Sequence, residues 1–171
     1  MFEAQVYGIP GDIGVVSQSG QWGASRRTCL GTPFNFAYEW FNTSDNLVIA
    51  NDAISKLNSH KGDVYEQATS VVTVRDQEAY EFSGGKYTTY GFQYKPGFEG
   101  AYIAWIANNE LAWILHQEGM AADPRVEISV RPVLQESMYL IANLGISSNF
   151  GAVDFAHLQF PSTLRMDWIR V

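Results

Sequence analysis

The sequence predicts an all-β fold, an antiparallel β-sandwich or jelly roll, built as one domain over residues 1–171. Three observations carry this expectation. Helical periodicity is scarce. Short apolar or alternating runs recur instead, punctuated by Gly, Asn, Asp, Ser and Pro, the pattern of sandwiches and jelly rolls. Aromatic residues make up 14% of the chain, and such side chains favour pleated surfaces. A length of 171 residues supports one sizeable core and is short for two domains. No repeat, low-complexity tract or linker divides it.

Along the chain, Val15 to Ser19 and Phe34 to Phe41 read as strands. Asn51 to Leu57 reads as a short helix capped by Asn51 or Asp52. Gly62-Asp63 signals a turn before Tyr65 to Val74, a long Thr- and Val-rich strand. Tyr87 to Tyr94 sets Tyr90, Phe92 and Tyr94 against Thr89, Gly91 and Gln93, and Pro96-Gly97 ends it. Tyr102 to Ala107 alternates in the same way, and Asn108-Asn109 forms a tight turn. Asn109 to Leu115 is the second short helical candidate. Val126 to Val130 leads to the closing stretches. Met138 to Ser147 is a near-continuous apolar run suited to a strand buried between two sheets. Leu158-Gln-Phe-Pro161 follows. Leu164 to Val171 then sets Leu164, Met166, Trp168 and Ile169 against Arg165, Asp167 and Arg170, one buried and one wet face.

The bulk numbers exclude some functions. A net charge of −7 leaves no basic stripe to neutralise phosphates, so nucleic acid is not expected as a partner. It equally disfavours an anionic membrane surface. Cys29 is the single cysteine, so the segment holds no internal disulfide. No window reaches the roughly 18 apolar residues of a membrane span, and the segment reads as soluble. Asn42-Thr43-Ser44 is a glycosylation sequon. His60, His116 and His157 lack ligand spacing, so neither a metal nor another cofactor is expected. No dinucleotide fingerprint, P-loop or Gly-x-Ser-x-Gly element is present.

The stretches Asn143-Leu-Gly-Ile-Ser147, Phe160-Pro161 and Asp167-Trp-Ile-Arg-Val171 together resemble the closing strands of the family 16 glycoside hydrolases. They are most similar to the fungal Kre6/Skn1-type proteins of β-1,6-glucan synthesis. Tyr87–Tyr94 with Ala101–Trp113 resembles that family's central hairpin. The resemblance implies a concanavalin A-like sandwich, here its C-terminal part without the first strands. It also implies a β-glucan partner and a secretory-pathway type II membrane protein whose anchor lies upstream.

Retaining glycosidases use two carboxyl groups about 5 Å apart, one a nucleophile and the other an acid/base. The resembling family carries both on one strand as Glu-x-Asp-x-x-Glu. Met1-Phe2-Glu3-Ala4 matches the tail of that pattern, so the resemblance implies that Glu3 is the acid/base and that the nucleophile precedes residue 1. By itself, Glu3 reads as an exposed terminal charge. Val16-Ser-Gln-Ser-Gly-Gln-Trp22 resembles the family's next strand, with Gln18 and Gln21 offering amides to sugar hydroxyls and Trp22 a stacking platform. Taken alone, this run is a polar edge strand. Tyr94 and Trp105, with Trp113 behind, are cleft candidates from the hairpin. Asn143 either faces substrate or satisfies a loop backbone.

Three functions stay open at this level: a β-glucan glycosidase or transglycosylase, a non-catalytic glycan-binding or scaffold domain, and a truncated product without activity. The Asp45–Asp63 stretch and the Gln117–Val126 loop match no motif, and substrate linkage is not legible.

Overall fold

The computed structural model describes residues 1–5, 14–23, 45–62, 66–74, 77–79, 85–148 and 152–171. Cys29, the Asn42 sequon and the expected strand Phe34–Phe41 lie outside the described residues.

The fold is all-β. Strands β1 (Phe2–Gln5), β2 (Val15–Gly23), β5 (Glu66–Val74) and β4 (Ser55–Leu57) form sheet A, in that order. Strands β3 (Leu47–Ile49), β8 (Glu110–His116), β7 (Tyr102–Ala107) and β6 (Tyr90–Lys95) form sheet B. Neighbours in both sheets are antiparallel. The Phe2 and Tyr90 rings meet at 5.4 Å, which sets the free edges of β1 and β6 on the same side of the sandwich.

The core is aromatic. Trp105 and Trp113 are register partners and stack at 4.1 Å with ring planes 3° apart. Each buried indole contributes about 4–6 kcal/mol of transfer free energy at ~25 cal/mol per Å². Leu47, Val71, Ile103, Leu115, Met120, Ile128 and Val133 belong to the same cluster, with Ala101 and Ala112. Three of these, Met120, Ile128 and Val133, come from the connection after β8, and of them only Met120 falls in the Gln117–Val126 loop that matches no motif. Polar bonds hold that connection down. Gln117 Nε2 donates to Arg131 O at 2.8 Å, Arg131 reaches across to the Gln67 side chain, and Asp123 fixes Arg125.

Several expected elements differ. Asn51 does accept from Ala53 N at 3.1 Å, but the turn ends there, because Ser55 pairs with Thr73 on β5. A run of this length cannot outweigh the cost of helix nucleation. Asn109 to Leu115 is not helical either. Asn108 and Asn109 adopt left-handed φ of 54° and 64°, the two-residue turn expected there, and return the chain as β8. A bulge lets both apolar spacings fit. Trp105 pairs with Trp113 while Ile106 pairs with Leu111, leaving Ala112 as the extra residue. Val126 to Val130 forms no strand: Val126 ends a short 3-10 turn (Pro124–Val126), and Ile128 makes a single bridge back to Asp123.

The closing stretches depart furthest from expectation. Neither Met138–Ser147 nor Leu164–Val171 forms a strand, and Tyr139 is 92% and Ile141 81% exposed. Strand propensity becomes a strand only against a partner, and among the described residues no strand takes these segments up.

Candidate functional site

Alternation along β1 decides what Glu3 can do. Phe2 packs against the core and on Tyr90, so its neighbour Glu3 projects from the outer face of sheet A. Register then lays out that face. Glu3 lies beside Ser17, Ser17 beside Val72, and Val72 beside Lys56. One row further along, Ser19 lies beside Ser70, and Gln21 beside Ala68. Ser17, Ser19, Ala68 and Ser70 are all buried. They give this face a floor of small side chains, three of them serines, with Glu3 at one edge.

Glu3 is half-buried, and its electrostatics follow from that placement. Burial raises its carboxyl pKa above the ordinary 4.5. The Met1 amino group pulls it down, Glu66 pushes it up, and His60 pulls it down. The first effect dominates, so Glu3 holds its proton to higher pH than an exposed glutamate does. A general acid needs that property.

The structure sorts the other candidates by face. Gln21 shares Glu3's face, and its Nε2 donates to Ser19 Oγ at 3.3 Å. Gln18 does not. It is 0% exposed between the sheets, where its Oε1 accepts from Thr73 Oγ1 at 3.4 Å, and Thr73 in turn bonds Ser55 Oγ at 2.8 Å. Its Nε2 has no partner among the described residues. A role for Gln18 in binding sugar hydroxyls is therefore corrected to one in the core. Trp22 also turns inward and packs on the core cluster. Gly20 makes the slot for it, since a Cβ there would lie 2.5 Å from the indole. Trp105 is 2% exposed beneath Trp113, so both indoles are core and not cleft lining. Tyr94 is exposed beside Phe92 at 5.9 Å, but on the edge of sheet B. Asn143 is exposed in the unpaired stretch after Val133. Neither joins Glu3.

Sequence reasoning missed two residues on Glu3's face, His60 and Glu66. Glu66 occupies the outer parity of β5, opposite Gly23, and His60 Nε2 lies 3.8 Å from Glu66 Oε1. Only the turn after β4 brings them together, and the one local signal for it was Gly62. Among the described residues no group of three or more His, Cys, Asp or Glu is placed to hold a metal ion. Among them, too, no helix is long and apolar enough to cross a membrane.

Over residues 1–171 the chain matches the model of the family described as beta-glucan synthesis-associated protein SKN1/KRE6/Sbg1. It is 33% identical over 135 residues to the beta-glucan synthesis-associated protein KRE6 of Candida albicans, covering 77% of this chain and 18% of that protein. Against SKN1 of the same organism it is 30% identical over 171 residues, covering 99% of this chain and 21% of the relative. KRE6 of Saccharomyces cerevisiae is 28% identical over 161 residues, with 93% and 21% covered. No solved structure matches the chain. The chain thus spans about a fifth of the length of these relatives. An all-β sandwich matched along its whole length by one family model belongs to that family, the SKN1/KRE6/Sbg1 beta-glucan synthesis-associated proteins.

Proposed function

We propose that this chain forms part of a retaining glycosidase or transglycosylase that acts on β-glucan during fungal β-1,6-glucan biosynthesis, with Glu3 as its acid/base. One observation carries the reading. Glu3 is a half-buried carboxyl whose pKa burial raises, set at the edge of a face of small side chains that includes Ser17, Ser19 and Ser70. In the first half-reaction Glu3 gives its proton to the leaving sugar oxygen as a nucleophilic carboxylate attacks the anomeric carbon. In the second it takes a proton from water or an acceptor hydroxyl, and the glycosyl bond to the nucleophile breaks. The nucleophile is the carboxylate that the family-16 pattern sets ahead of residue 1. Gln21, beside Glu3's floor, is the described amide best placed for sugar hydroxyls. Such a protein works in the secretory pathway and at the cell surface, as a type II membrane protein in its longer form.

A second reading rests on the same floor. A face that binds β-glucan without turning it over is a lectin-like or scaffold domain, and fold does not choose between the two. The substitution Glu3→Gln separates them. End-labelled β-gluco-oligosaccharides are incubated with the family's longer protein form carrying this domain, and transfer or hydrolysis products are read by mass. The enzymatic reading expects Glu3→Gln to lose ~10²–10⁴-fold in turnover while binding persists. Binding with no turnover, unchanged in Glu3→Gln, makes the domain a glycan binder instead.

A further inference from the structure

The outer face of sheet A has a second half that the reading above does not use. Glu3's row runs through Ser17 and Val72 to Lys56. One row nearer Gly14 the serines give way to aliphatic side chains, because Val15 pairs with Val74 on the same outer parity as Val72. Two fixed pieces of backbone wall these valines in. Ahead of β4, Asn51 Oδ1 accepts from Ala53 N at 3.1 Å, Ser55 N donates to Asn51 O at 3.0 Å, and Val74 N donates to Ile54 O at 2.8 Å. That turn therefore stands against the end of β5. Beyond the last pair of the β2–β5 ladder, Gly14 N donates to Gln77 Oε1 at 2.8 Å, and Gln77 Nε2 donates to Gly14 O at 3.0 Å. Between these pieces lies a groove of about 310 Å³, lined among the described residues by Val15, Ala53, Ile54, Lys56, Val72 and Val74.

The chemistry of this lining is one-sided. Five of the residues are aliphatic. The sixth brings an ammonium group, and none of the described residues hydrogen-bonds or ion-pairs with it. The groove offers no ring to stack on a sugar and no amide or carboxylate to bond its hydroxyls, which sets it apart from the serine floor. An aliphatic floor with one cation at its rim complements an aliphatic chain that ends in an anion. The chain leaves water against the valines, and the anion accepts a charge-assisted hydrogen bond from the lysine. We propose that the groove binds a single aliphatic carboxylate of the fatty-acid class, its chain on Val15, Ile54, Val72 and Val74 and its head on Lys56. The volume stands at the low end of the ~300–1,000 Å³ of small-molecule sites, so the chain it takes is short. A bilayer of anionic lipid is a poorer match. Lys56 acts within a Debye length of about 8 Å, whereas a charged surface meets the chain's whole net charge of −7.

The test is an NMR titration of the methyl-labelled chain with octanoate, octanol and octylammonium, each kept below the concentration at which it aggregates. Octanoate moves the methyl signals of Val15, Ile54, Val72 and Val74 saturably and leaves those of Leu115 and Val133 in place. It binds ~2–5-fold tighter than octanol, the margin of an exposed ion pair, and octylammonium binds weakest. Lys56→Gln brings octanoate down to the affinity of octanol and leaves octanol unchanged. Val72→Ser weakens both. Unmoved Leu115 and Val133 signals in each ligand-free variant report that the core is kept. Shifts outside the groove, octanoate no tighter than octanol, or full octanoate affinity in either variant overturn the proposal. So does binding to phosphatidylglycerol vesicles, which would assign the groove to a membrane surface. No glucan or turnover is read, so this failure is distinct from a failure of the enzymatic reading.

Discussion

Glu3 owes its chemistry to the ring next to it. Phe2 is anchored in the core, so Glu3 must face outward, and the surrounding sheet leaves it half out of water. The raised pKa has a consequence for stability. A carboxyl whose folded pKa exceeds its unfolded value costs nothing below about pH 4.5. It destabilises the fold progressively as pH rises through the folded pKa. Glu3→Gln removes that cost. Thermal melts of the variant and the unsubstituted chain should nearly coincide at pH 4, with the variant higher at pH 7. A variant that melts lower at pH 7 than the unsubstituted chain contradicts this. Gly62 gives a second prediction at this scale. A left-handed L-residue costs about 1–2 kcal/mol before any clash, and here the added Cβ meets backbone at 2.2 Å. Gly62→Ala should therefore lose at least that much in a urea melt, whereas Gly85→Ala, with left-handed φ but nothing within 4 Å of its Cβ, should lose only the conformational part.

Strands were legible where a period of two ran uninterrupted, and less so elsewhere. β7 runs from Tyr102 to Ala107 as the sequence predicts, because an apolar run there is closed by the Asn108-Asn109 turn. β8 was misread as a helical run, because Leu111, Ala112, Trp113 and Leu115 satisfy helical spacing once a bulge absorbs Ala112. The site suffered from ignored parity. Gln18 and Gln21 are three apart, so they cannot share a face of one strand, and Gln18 falls in step with buried Val16. Trp22 belongs to that same inner set. Glu3 stands as a candidate only through resemblance, and the approach of His60 to Glu66 has no signature in the sequence, since a turn joins them through space. At this scale the paired indoles matter most. Trp113→Ala should cost about 3–5 kcal/mol, because it empties the centre of the core and leaves Trp105 unstacked. Leu111→Ala, on the exposed parity of the same strand, should cost well under half of that in the same denaturant melts.

The molecule as a whole is a sandwich tied at one side and open at the other. The Leu47–Leu57 stretch links sheet B to sheet A directly, whereas β1 and β6 end their sheets with no strand beyond them among the described residues. Past Val133, which is fully buried, the chain leaves the body, and Met138, Leu140, Leu144, Ile146, Met166 and Trp168 are exposed. Exposed, unpaired backbone is where proteases cut first. Brief chymotrypsin treatment should nick between Met138 and Leu144 and leave a body ending near Val133. Resistance of that stretch, with first cuts inside β5 or β7, contradicts this placement. The account's central claim is that the outer face of sheet A, with Glu3 at its edge, is where β-glucan engages. Its most direct test is a titration of the isotope-labelled chain with β-gluco-oligosaccharide, reading backbone and Glu side-chain shifts together. Shifts concentrated on Glu3, Ser17, Ser19, Gln21, Ala68 and Ser70, and absent from Gln18 and Thr73 on the inner parity, are the result predicted. Saturable binding with shifts confined to Phe92 and Tyr94 on β6, or no binding at all, would contradict it.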